Sequence, residues 1–176
     1  HSRDVHRVDR RQRQMGIRDR GRMRSDDRWL VVLPMFHANA QYYSTMSALV
    51  SGASIALMDR FSASGWGDQA RRHGATLGSL FAAPIRMILA QPPERATGSC
   101  VLRATYFAQN LTTEELDDFE RRFGCPLVQW YGMTETIAPP VANPLYRRRD
   151  NMTIGQPPGL SVRAVPYTHL PPPTIN

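Results

Sequence analysis

The stretch LTTEELDDFERRFGCPLVQWYGMTETI, residues 111–137, sets two kinds of periodicity back to back. Thr112 and Glu115 stand at capping-box spacing, and Leu116, Phe119 and Phe123 recur at i, i+3 and i+7, which predicts a helix with one apolar stripe. Acidic residues crowd its first turns and Arg121 and Arg122 its last, complementing the helix dipole, while Gly124 and Pro126 stop it. PLVQWYG (126–132) then reads as a strand, on which Trp130 and Tyr131 must face opposite sides, with Trp130 turned to the core.

The same alternation extends upstream. WLVVLP (29–34), ASIALMD (53–59), ATLGSLFAAP (75–84) and CVLRATYFA (100–108) read as strands. Between them NAQYYSTMSALVSG (39–52), SASGWGDQARRHG (62–74) and PIRMILAQ (84–91) read as helices, the last opened by a proline suited to a first turn. Strand starts near 29, 53, 75, 100 and 126 are about two dozen residues apart, the rhythm of strand–helix units without a sequence repeat. The expected fold class is α/β, a mostly parallel sheet with flanking helices. Downstream, Gly155, Pro157, Pro158 and Gly159 are expected to turn the chain into a strand LSVRAV (160–165).

In such open sheets ligands bind beyond the carboxyl ends of the strands. PMFHANA, YFAQNL and YGMTETI are the loops placed there. Thr134 and Glu135, a hydroxyl and a carboxylate on a glycine-containing turn, can hold a phosphate oxygen and a metal ion. By themselves they are equally the residues of a capped turn. His37 could be a histidine bonding a backbone carbonyl, and Tyr131 sheet-edge packing. Arg147–Arg149 read as a solvated basic loop, and Arg71, Arg72 and His73 as the exposed end of a helix.

The net charge of +7 suggests a polyanion partner, but residues 1–28 alone hold ten arginines against five aspartates, leaving the remainder near neutral, so nucleic acid is not the expected partner. HSRDVHRVDRRQRQMGIRDRGR lacks hydrophobic periodicity, and PYTHLPPPTIN is proline-rich; both ends resemble disordered or foreign segments. The expected division is 1–24 arginine-rich, 25–165 the folded unit, 166–176 a proline-rich tail. Cys100 and Cys125 lack metal-ligand spacing and fit a reduced, cytoplasmic setting. No apolar run is long enough to cross a bilayer. All 22 basic residues are arginine, so any step that needs a lysine must draw it from outside this sequence.

YGMTE after a strand, followed by TIGQPPG (153–159) and preceded by LPMFH (33–37), resembles the adenylate-forming superfamily of acyl-CoA synthetases, luciferases and peptide-synthetase adenylation domains. LPMFH with the AQ pair near 40, QPP (91–93), YFAQNLTTEELDDFERRFG and YGMTETI look most like its crotonobetaine/carnitine-CoA ligase branch. The resemblance implies that residues 25–165 are a partial AMP-binding N-terminal domain. It implies ATP-dependent activation of a carboxylate as acyl-AMP and transfer to coenzyme A, with Mg²⁺ as metal. It further implies that Tyr131 stacks on adenine, that Gly132 and Met133 line the nucleotide, that Thr134 bonds the α-phosphate and that Glu135 holds Mg²⁺. His37, Ala108, Gln109 and Asn110 would border the acyl and pantetheine pocket, Gln109 and Asn110 departing from the glycine-alanine pattern of many relatives.

The family's phosphate loop, its ribose-binding aspartate and its C-terminal lysine have no counterpart here, so the sequence is expected to be a fragment that is inactive alone. Two alternatives stand beside this. One is a noncatalytic α/β module whose basic N-terminus binds a polyanion such as RNA; the other is an adenylate-forming enzyme with a different acyl acceptor.

Overall fold

The computed structural model describes residues 23–93, 102–146, 148–157 and 162–163. Strands β1 (Arg28–Val31), β2 (Ser54–Leu57), β3 (Leu77–Phe81), β4 (Ala104–Ala108), β5 (Leu127–Tyr131) and the short β6 (Val141–Ala142) form one sheet in the order β2-β1-β3-β4-β5-β6. Every pairing from β2 to β5 is parallel, and β6 joins β5 antiparallel. Since β2 lies on one side of β1 and β3 on the other, the chain reverses its direction of winding between them. The carboxyl ends of β1 and β3 therefore mark the switch point, where crossovers diverge to opposite faces and leave a crevice.

Helices α1 (Ser47–Ser51), α2 (Trp66–Arg72), α3 (Ala82–Leu89) and α4 (Thr113–Phe123) cover both faces. Strand alternation sorts the core into two clusters. Leu30, Leu80, Phe107 and Leu127 face Trp66, Ile85, Ile88, Phe119 and Phe123, side chains of α2, α3 and α4. Trp29, Val31, Tyr106, Val128 and Trp130 point the other way, toward Ala40, Tyr43 and Ala48. Trp66 is fully buried, its ring centroid 5.5 Å from Phe119 and 5.0 Å from Phe123, geometry that adds about 0.5–1.5 kcal/mol per pair beyond area burial.

Helix α4 has the predicted reciprocal cap: the Glu115 N–H donates to Thr112 Oγ1 at 3.2 Å, and the Thr112 N–H to Glu115 Oε2 at 2.8 Å. Gly124 ends it with φ 63°. Arg86 of α3 donates to the same Glu115 carboxylate at 2.6 Å, so the cap also joins two helices.

The segment 39–52 departs from the expected helix. Asn39–Met46 is π-helical and passes into α1 only at Ser47. Its buried residues Asn39, Ala40, Tyr43, Ser44, then Ser47 and Ala48, repeat every four positions, wider than the 3.6-residue α turn. The Ser44 and Ser47 hydroxyls donate to the carbonyls of Asn39 and Tyr42, five residues back, which satisfies acceptors in the wider winding.

Smaller departures have local causes. The helix expected over 62–74 begins at Trp66, because Ser62 Oγ accepts the Gly65 N–H at 3.2 Å and closes a turn first. Helix α3 starts two residues before Pro84, and the strand before it ends at Phe81. Arg149 is not a free member of a basic loop: it pairs with Glu120 on α4 at 3.1 Å. Most of the strand expected over 160–165, Arg147, residues 1–22 of the expected arginine-rich segment 1–24 and the expected tail 166–176 lie outside the described residues, while Met23 is buried in the core. Among the described residues no helix is long and apolar enough to cross a membrane.

Candidate functional site

The carboxyl rim of the sheet is built by register. Phe81 at the end of β3 pairs with Ala108 at the end of β4, and Phe107 pairs with Gln129 of β5. The loops after β1, β3, β4 and β5 therefore stand side by side in that order. Within β5 the predicted alternation holds: Trp130 is 4% exposed and Tyr131 45%. A strand end that turns one ring into the core leaves the next ring at the surface, available to a ligand.

After Tyr131 the chain enters a tight turn. Thr134–Thr136 form a single 3-10 turn. Thr136 closes it, its hydroxyl donating to the Met133 carbonyl at 2.8 Å and accepting the Met133 N–H at 3.2 Å. Ile137 then takes φ 63° and ψ −39°, and the Ala138 N–H reaches back to the Thr136 carbonyl at 2.6 Å, a γ-turn centred on a β-branched residue. Such a backbone costs on the order of 1–3 kcal/mol and persists only where its surroundings hold it. Gln109, after β4, is the other described non-glycine residue with positive φ (77°). Both strained positions flank the same stretch of rim.

Thr134 and Glu135 are exposed at the head of this turn, and among the described residues neither side chain has a protein hydrogen-bond partner. Gly132 is required by close approach. A Cβ there would collide with Tyr43 Oη and stand 3.3 Å from Pro139 Cα. Met133 is exposed beside it.

On the neighbouring loop Ala108 is half-buried, and Gln109 and Asn110 are exposed. The Asn110 carbonyl accepts from Arg86 at 3.0 Å, which fixes the loop to α3. His37 stands farther along, at the switch point. It is exposed, not buried against a carbonyl: its ring packs edge-on against Phe81 at 5.0 Å, and Nδ1 accepts the Asn39 N–H at 3.2 Å. That bond puts the proton of the neutral ring on Nε2. The structure thus brings Ala108–Asn110 beside Tyr131–Glu135, with His37 at the other end of the row, across β3 and β4.

A cavity of about 660 Å³ opens beyond the ends of β1 and β2, walled by Val32–Met35, Leu57, Met58, Phe61 and Pro84, with Asp59 and Arg60 among its lining residues. It includes neither His37 nor the β5 turn. The 3-10 turn is an open surface instead, suited to a ligand that lies across several loops.

Among the described residues no three histidine, cysteine or acidic side chains converge on a point that could enclose a metal ion. A lone exposed carboxylate fits Mg²⁺ nonetheless, since that ion is commonly held by one or two carboxylates together with substrate phosphates. The exposed Glu135 carboxylate is of the kind that can hold a metal arriving with a phosphate.

Tyr43, Thr136 and Phe81 were not singled out from the sequence. The four-residue repeat of 39/40, 43/44 and 47/48 is one of burial among mixed polar and apolar residues, so no periodicity in the sequence marked Tyr43, Thr136 or Phe81.

Comparison with known proteins agrees with this architecture. The chain is 37% identical over 115 residues to crotonobetaine/carnitine–CoA ligase of Salmonella heidelberg, an alignment covering 65% of this chain and 22% of the relative. It is 38% identical over the same length to the ligase of the same name from Escherichia coli O139:H28. The chain thus spans about a fifth of the length of these relatives. The fold matches ATP-bound MatB from Rhodopseudomonas palustris with a TM-score of 0.74 at 22% identity, covering 84% of this chain and 29% of that one. It also matches the O-succinylbenzoate coenzyme A synthetase MenE of Bacillus subtilis in complex with ATP and magnesium, with a TM-score of 0.67 at 22% identity over 78% of this chain and 28% of that one. The profile of the AMP-binding enzymes matches residues 6–169, and the chain belongs to that family.

Proposed function

We propose that this chain carries the nucleotide-facing wall of an ATP-dependent acyl-CoA synthetase, which activates a small carboxylic acid as its acyl-adenylate and passes the acyl group to the thiol of coenzyme A. The observation that carries this is the pair Thr134 and Glu135, exposed at the head of a hydroxyl-closed turn directly after β5. The similarity to CoA ligases at 37% identity supports the acceptor.

The chemistry asks for charge control. A carboxylate must attack the α-phosphorus of ATP, so two anions are brought together while pyrophosphate leaves. The Thr134 hydroxyl donates to an α-phosphate oxygen, where a fixed dipole is worth most as charge redistributes. Mg²⁺, when bound, supplies Lewis-acid neutralisation of the phosphate oxygens, and Glu135 anchors it. Tyr131, ring outward at the strand end, stacks on the adenine, worth on the order of 1–3 kcal/mol. Gly132 and Met133 line the nucleotide. His37, Ala108, Gln109 and Asn110 border the path of the acyl group and the pantetheine arm. The reaction belongs in the cytoplasm, within the metabolism of fatty or related acids.

The test is equilibrium dialysis of labelled ATP against the chain with and without Mg²⁺. Saturable binding that Mg²⁺ strengthens, and that Glu135→Ala weakens only when Mg²⁺ is present, is the expected result. An identical isotherm for Glu135→Ala in Mg²⁺ overturns the assignment of the metal ligand; absence of saturable binding overturns the nucleotide wall.

A further inference from the structure

We infer that Tyr43 is the positioning residue of the nucleotide turn, holding residues 132–138 in the conformation that presents Thr134 and Glu135. The inference rests on the functional reading above for what the turn binds, and on geometry alone for what holds it.

Tyr43 lies on the π-helical segment after β1, while the turn follows β5, with β3 and β4 between them in the sheet. The phenol crosses that distance. Its ring is buried and packs edge-on against Trp130 at 6.4 Å, two residues before Gly132. Its hydroxyl reaches the Met133 carbonyl, a long contact at 3.5 Å. Thr136 bonds the same Met133 carbonyl, so one acceptor is gripped by two hydroxyls. Gly132 leaves the space into which Tyr43 Oη fits. The strained Ile137 follows at once, and a backbone of that kind needs an external hold.

Burial pushes the Tyr43 phenol above its ordinary value, against a smaller opposing influence of the Thr136 side chain, so the group remains a protonated donor. The π-helical winding explains the reach. Its four-residue repeat puts Asn39, Tyr43 and Ser47 on one buried line, and Tyr43 in the middle of it projects across the ring row of the sheet.

The test uses Tyr43→Phe, which keeps the ring on Trp130 and removes only the hydroxyl, in the 176-residue chain. Amide hydrogen exchange at Met133, Thr136, Ile137 and Ala138, whose N–H groups all bond within the turn, is the decisive measurement. Exchange should quicken about fivefold at these amides, with a melting midpoint lowered by no more than loss of that one hydrogen bond implies. Unchanged exchange at the turn overturns the inference. Gly132→Ala should quicken the same amides, and Tyr43→Phe should partly rescue it because the colliding oxygen is gone; strictly multiplicative effects overturn the interlock. Mg–ATP affinity should fall about fivefold in Tyr43→Phe. Should the unsubstituted chain bind no ATP, the functional reading fails by itself, and the exchange data still decide what holds the turn.

Discussion

Arg103 and Asp27, 76 positions apart, meet at the amino ends of the strands, where Arg103 Nε donates to Asp27 Oδ1 at 2.8 Å and Nη2 to Oδ2 at 2.5 Å. Thr76 Oγ1 donates to the same carboxylate at 2.7 Å, and the Arg24 N–H at 2.8 Å. Asp27, Thr76 and Arg103 each stand one residue before a strand, ahead of β1, β3 and β4 respectively. One buried carboxylate therefore ties three adjacent parallel strands at the end opposite the rim that carries Thr134 and Glu135.

Breaking this pair leaves a buried charge without its partner. Asp27→Ala should lower stability by about 3 kcal/mol, the lower part of the range for buried pairs because Arg103 keeps some contact with water. Urea titration followed by far-UV circular dichroism checks this, and a change within experimental error would show that the strand ends are held by packing instead.

The same carboxylate sets an acid limit. Burial is the largest single influence on Asp27 and opposes its charge, but the Arg103 side chain, the Arg24 N–H, the Thr76 hydroxyl and the Arg103 charge together outweigh it and hold the pKa below the ordinary 3.8. A depressed folded pKa means stability that is fully present above the unfolded value and lost as pH falls through the folded one. Unfolding free energy should decline as pH is lowered below about 4, and Asp27→Asn should flatten that part of the profile. An equally steep profile in Asp27→Asn would assign the acid loss to other carboxylates.

The cap of α4 offers a smaller, separable effect. Thr112→Ala removes the acceptor for the Glu115 N–H and should cost about 1 kcal/mol in urea unfolding. Arg86 continues to hold Glu115 in that variant, so helix α3 should stay docked.

Tyr131 is exposed at the strand end, so its removal should spare the fold. Tyr131→Ala should change stability by no more than about 0.5 kcal/mol. Dialysis with labelled ATP should show weaker binding by about one order of magnitude, from loss of a stacking surface. Equal affinity would place the adenine elsewhere on the rim.

Most of the sheet was legible because its signals are local. Thr112 and Glu115 cap a helix within four residues, Trp130 and Tyr131 alternate within two, and Gly124 stops a helix by its own backbone freedom. The rim followed from the order of strands and helices, which placed residues 34–40, 106–111 and 131–137 at one end of the sheet. What escaped is long-range or geometrically unusual. Asp27 and Arg103 are ordinary charges until the fold brings them together, and Tyr43 is one apolar position in a helical pattern until wider turns carry it to Met133, 90 positions away. The antiparallel β6 and the residues that bind it escaped for the same reason. Asn143 Nδ2 donates to the Thr153 carbonyl and Asn151 Nδ2 to the Leu127 carbonyl, each at 2.8 Å, bonds between loop amides and backbone that no periodicity announces.

The rings on one face of the sheet form a continuous file: Trp29 stacks on Tyr106 at 5.5 Å, Tyr106 on Trp130 at 4.0 Å, and Trp130 meets Tyr43 at 6.4 Å. Closely spaced chromophores in fixed, unequal orientations couple their electronic transitions, so this file gives the native chain a near-ultraviolet dichroic signature that vanishes when the rings rotate freely. Its last member is the residue that touches the turn after β5. The protein therefore contains a label-free optical gauge, whose signal from Tyr43 and Trp130 reports the seating of that turn in the same spectrum that reports the integrity of the sheet.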